Sequence, residues 1–145
     1  MSNNVYDLPQ PPLGIGAMGF ILAKLNEAAA KVEKTMQECH GLAEILEGTI
    51  VGSCPIQDRE PLPPYPGPMP IRRQHAGTWG VDILPGGFIS EQERETYENN
   101  VRIREDWMRA AIQRTSELEG DYSTLHLWFQ NLLVQFAQYV LMNRG

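Results

Sequence analysis

"SELEGDYSTLH", residues 116–126, decides how many helices this chain has. Glycine is the poorest helix former after proline. The aspartate that follows it can accept a hydrogen bond from a free backbone amide and so open a new helix. Gly120-Asp121 is therefore expected to break the helix, or at least to bend it, leaving one helix on either side.

The upstream side starts with a clear signal. Ser90 opens "SEQE", which places Glu93 at the reciprocal position of a capping box. A helix is expected over 90–119, with Glu98–Arg102 and Glu105–Arg109 as favourable pairs four residues apart. Tyr97, Val101, Met108, Ala111 and Leu118 form its apolar stripe, with Ile103, Trp107 and Ile112 beside or outside it. The downstream side, 121–143, has no formal charge between Tyr122 and Asn143. Its wide stripe is Tyr122, Leu125, Phe129, Leu132, Phe136 and Tyr139, of which Phe129, Leu132 and Phe136 are expected to pack on their own chain. A second row, Leu127, Val134 and Leu141, lies on another side at intervals of seven. A helix apolar on two sides needs two coverings, so this row is expected to carry self-association.

Further upstream, 17–47 carries Met18, Leu22, Leu25, Ala29, Val32, Met36, Cys39, Ala43 and Leu46 in alternating steps of four and three. That is a coiled-coil-like repeat, with Leu22, Leu25, Val32, Met36 and Leu46 as expected core positions and Gly48 as the terminating residue. The connector, 48–89, includes "PIQDREPLPPYPGPMP" at 55–70, whose seven prolines exclude helix and central strand. A polyproline II spacer laid along a surface is expected there. Val81–Leu84 is read as a short strand and Pro85-Gly86-Gly87 as a turn. Residues 1–16, broken by Pro9, Pro11 and Pro12, read as an extended arm. The expected fold is thus mainly α: one helical domain over 1–145, with two to three long helices in a hairpin-like bundle and little or no β.

Several chemistries are excluded by context. Gly14, Gly16 and Gly19 have the G-x-G-x-x-G spacing, but that fingerprint needs a preceding strand. Here Pro9-Gln10-Pro11-Pro12 precede it, so no nucleotide is expected. His40 neighbours Cys39, yet adjacent helical residues diverge by about 100°, and neither C-x-x-C nor H-x-x-x-H occurs. Glu91, Glu93, Glu95 and Glu98 fit a solvated first turn that complements the helix dipole. No nucleophile-elbow, kinase or P-loop pattern is present. No catalytic residue, cofactor or metal is therefore expected. Leu62-Pro63-Pro64-Tyr65 has a shape that aromatic-lined grooves accept, which makes it a candidate partner-binding segment.

Composition sets the remaining bounds. The net charge is −6, and the acids are spread out with no basic stripe, which argues against nucleic acid. Cys39 and Cys54 are expected to be reduced thiols. No signal peptide is read at the N-terminus, since no Lys or Arg precedes Lys24. These features lead to the expectation of a non-enzymatic structural subunit whose partners are protein subunits, itself or other components. It would be cytoplasmic or built into a particle assembled there; a virion, connector or secretion-type particle enters by analogy alone. A membrane-interacting helical protein and a small acidic adaptor that binds a basic partner are the alternatives. Membrane contact is disfavoured because His126, Gln130, Asn131, Gln135 and Gln138 interrupt the uncharged helix.

Overall fold

A computed structural model describes residues 16–46, 52–71 and 84–143. The protein is mainly helical, with two helices and no regular strand among the described residues. Helix α1 is Ala17–Ile45 and helix α2 is Glu91–Met142. The arm at 1–15, Gly48 and most of the expected strand lie outside the described residues. Leu84 itself forms an isolated bridge with Phe88, closed over Pro85-Gly86-Gly87 by the Leu84 amide donating to the Phe88 carbonyl at 2.7 Å.

The expected break at Gly120-Asp121 is absent. α2 runs through it unbroken for 52 residues, about 78 Å at the usual rise. A glycine costs only about 1 kcal/mol relative to alanine in a helix, and the packing of Thr115 and Leu125 on either side outweighs that. Asp121 does not cap a new helix because its carboxylate is engaged elsewhere. Arg59 donates to it through Nε and Nη2, both at 2.8 Å. The start of α2 matches its local signal. Ser90 Oγ accepts from the Glu93 amide at 3.1 Å, and Glu93 reaches back to the Ile89 amide, one residue beyond the usual position.

The hairpin-like arrangement is also corrected: α1 and α2 run in the same direction. Met18 and Ile21, at the start of α1, pack with Trp107, Ala111 and Ile112. Cys39 and Leu46, at its end, pack with Leu132. Lys31 lies over the Tyr122 ring between these two clusters. A hairpin needs only a short connection, whereas parallel neighbours need a long one that travels back, and the proline-rich segment supplies that path.

Every second position of the expected row of α1 faces inward as expected, and the positions between them are shifted by one. Met18, Cys39 and Leu46 are buried, and Leu25 and Val32 are half-buried. The rows between them are filled by buried Ile21, Ala28 and Thr35 and half-buried Leu42. Leu22 and Met36 are only half-buried and Ala29 is exposed. Met36 faces the connector, where Cys54 Sγ lies 3.5 Å from its Sδ. Gly16 begins α1 with an ordinary φ of −64°, and a Cβ there would meet nothing within 4 Å, so no close packing demands glycine. On α2, Trp107 and Ile112 are core members rather than bystanders, while Ile103 is exposed.

Candidate interaction surfaces

The proline-rich segment lies antiparallel along α2 as a strap. Its Arg59 meets Asp121, and its Pro68 carbonyl meets Arg104 at 2.7 Å. The nine residue steps from Arg59 to Pro68 cover about 28 Å at the polyproline rise, and the seventeen helical steps from Arg104 to Asp121 cover about 26 Å. The two repeats match in length, which lets the strap stay in contact along the whole stretch.

The contacts follow the period of each element. Arg114 donates to the Glu60 carbonyl at 2.6 Å, Trp107 Nε1 to the Pro63 carbonyl at 3.1 Å, and Arg104 Nη2 to the Pro66 carbonyl at 2.7 Å. Residues 60, 63 and 66 are three apart, the period that returns polyproline II carbonyls to one edge. Trp107, Arg114 and Asp121 are seven apart, the period that returns helix side chains to one face. Gly67, at φ +97°, turns the strap so that the carbonyls on both sides of it face Arg104. Proline has no amide hydrogen, so the strap needs donors from outside to satisfy its carbonyls, and the arginines and the indole provide them. Local periodicity and composition in either segment alone do not reveal this ladder. The signal for it was the Trp107/Arg114/Asp121 spacing of seven opposite a proline run of threefold period.

The candidate groove ligand Leu62-Pro63-Pro64-Tyr65 is part of the strap. Leu62 is half-buried, Tyr65 packs edge-on against Trp107 with ring centroids 5.0 Å apart, and Pro63 and Pro64 are exposed. The charged end of the strap is a balanced cluster. Arg59 also lies 3.6 Å from Glu117, which accepts from Arg114 at 3.2 Å. The Asp121 hydrogen bonds hold the Arg59 guanidinium above its usual pKa.

The second surface is the C-terminal end of α2. α1 ends against Leu132, so α2 projects about ten residues beyond it, roughly 15 Å. Leu132 is buried, Phe129 and Phe136 are half-buried, and Leu127, Val134 and Leu141 are 63%, 58% and 63% exposed. Leu133, Tyr139, Val140 and Met142 are exposed around them.

Among the described residues no group of three His, Cys, Asp or Glu is placed to hold a metal ion. The acidic first turn of α2 is used locally: Glu91 pairs with Arg94 and Glu93 serves the cap. His40 meets the edge of the Trp128 ring, and His126 stacks on Tyr122 and contacts Gln130 at 3.2 Å. Cys39 is fully buried with its Sγ 3.7 Å from the Leu125 carbonyl, and burial pushes its thiol up to about 11, with Cys54 and Glu38 adding to the rise. No helix among the described residues is long and apolar enough to cross a membrane. Comparison of the chain with known protein families, with curated proteins and with solved structures finds no match.

Proposed function

We propose that this protein is a non-enzymatic assembly subunit: a strapped two-helix rod that joins other protein subunits through the C-terminal end of α2. One observation carries the reading. Leu127, Val134 and Leu141 stand exposed on a helix end that has no charge from Tyr122 to Asn143. Contiguous apolar surface of this kind marks protein contact sites on soluble proteins. The strap supports the same reading, because it stiffens the rod from Arg104 to Asp121 and leaves the end uncovered.

Light scattering on the purified protein tests this. The expected mass exceeds the 16.4 kDa of one chain, and Val134→Glu returns it to that value with the helical signal in circular dichroism unchanged. A charge at such a contact has no partner and must be desolvated. A wild-type mass of one chain at every concentration would overturn self-assembly and bring forward the acidic adaptor.

A further inference from the structure

We infer that the partner at this end of α2 is the same end of a second copy, lying parallel and in register along Leu127, Gln130, Val134, Ala137 and Leu141. This inference rests on the assembly reading above. The five residues are spaced by three and four, so they share one seam. All five are exposed, while Leu125 and Leu132 on the opposite side are fully buried against the protein's own core. The seam is therefore clear of the contacts that hold the rod together.

The chemistry favours a copy of the same chain. With no charged residue from Tyr122 to Asn143, two identical ends bury no charge and do not repel each other over that stretch. Orientation follows from Gln130. In a parallel pair each layer meets itself, so the two Gln130 amides face each other and can exchange N–H and C=O hydrogen bonds. In an antiparallel pair the two kinds of layer alternate. Gln130 then faces Val134, Leu127 faces Ala137 and Leu141 faces Ser123, which leaves an amide against an isopropyl group and a leucine against a hydroxyl. A buried polar side chain without a partner is costly, and one that pairs with itself sets register and direction.

Area points the same way. Leu127, Leu133, Val134, Val140 and Leu141 expose roughly 450 Å² per copy, about 900 Å² for a pair, which falls short of the ~1,200 Å² where specific interfaces begin. A parallel pair can make up the difference and an end-to-end pair cannot. The seam continues below Leu127 through Ser123, Gly120, Ser116 and Gln113, all uncharged and exposed, with Glu119 and, on α1, Lys24, Glu27 and Lys31 beside it at Ser123. The resulting contact is modest in size, so association should be reversible and depend on concentration.

Cysteine cross-linking tests the geometry. Leu127→Cys and Leu141→Cys are made separately in full-length Cys54→Ser protein, and Cys39 stays in place because it is fully buried. Copper-phenanthroline and dissolved oxygen remove two protons and two electrons from each pair of thiols. Each variant alone is expected to give a covalent homodimer, at least fivefold above the Cys54→Ser background. A cross-link formed only when Leu127→Cys is mixed with Ala137→Cys shows an antiparallel seam and overturns the inference. Light scattering on the same samples separates the two claims. A mass above one chain with neither homodimer refutes the parallel register and leaves assembly standing, and a mass of one chain refutes both. Sedimentation of the wild type with phosphatidylcholine vesicles, in place of self-association, would make a membrane the occupant and overturn the inference as well.

Discussion

The middle and the C-terminal end of α2 belong to one helix, yet they meet different surroundings. From Trp107 to Leu132 the helix is packed against α1, and the strap covers a further side from Arg104 to Asp121. Beyond Leu132 the helix is mostly exposed, with only Gln135 and Phe136 half-buried. Both regions are rich in apolar residues, and the backbone is continuous between them. What differs is where the apolar surface goes: in the middle most of it is buried within the chain, and at the end most of it is exposed. Helical continuity alone therefore does not show which part of a helix is built into the core.

The largest effect should separate the two regions cleanly. Leu132→Ala or Leu125→Ala, at fully buried positions, should cost about 2–5 kcal/mol in denaturant unfolding. Leu141→Ala should stay within about 0.5 kcal/mol in dilute solution. Equal losses at both ends would erase the distinction.

Cys39 sharpens the same contrast through pH. Its thiol holds its proton more tightly folded than unfolded, since burial raises it to about 11 from the usual 9.0. That contribution is complete below pH 9 and is lost as pH rises toward 11. Wild type should therefore lose more stability than Cys39→Ala between pH 9 and 11, and parallel curves would show that the thiol is not confined by the core. A smaller effect is expected at the strap. Trp107→Phe keeps an aromatic ring beside Tyr65 but removes the donor to the Pro63 carbonyl, at a cost of about 0.5–1.5 kcal/mol. Faster protease cleavage between residues 57 and 70 should accompany it. The smallest effect has the opposite sign. Gly120→Ala should stabilise by about 0.5–1 kcal/mol, because the helix is continuous and a Cβ there meets nothing within 4 Å. Destabilisation would restore the break.

Features set by neighbouring residues were legible in the sequence. The start of α2 follows from Ser90 and Glu93, three residues apart, and the repeat of α1 correctly marked Met18, Cys39 and Leu46 as buried. Features set across the chain were not. The fate of Asp121 depends on Arg59, 62 residues away, so a plausible cap became an ion-pair partner. The one-position shift in the row of α1 depends on where α2 lies, and adjacent rows of a helix carry similar residues. The direction of α1 relative to α2 depends on the route of the connector. The sequence reads as a hairpin-like bundle because nothing local to either helix gives that route; the hydrogen bonds from Trp107 and Arg114 to the Pro63 and Glu60 carbonyls fix where the connector docks.

Hydrogen exchange at a series of protein concentrations tests the division of α2 most directly. Amides between residues 107 and 132 should already be protected in dilute protein, at a level set by the stability of the fold. Amides between 133 and 142 should exchange quickly in dilute protein and slow down as concentration rises and the ends associate. Uniform protection along the helix at high dilution, or fast exchange of the end at every concentration, would contradict the account.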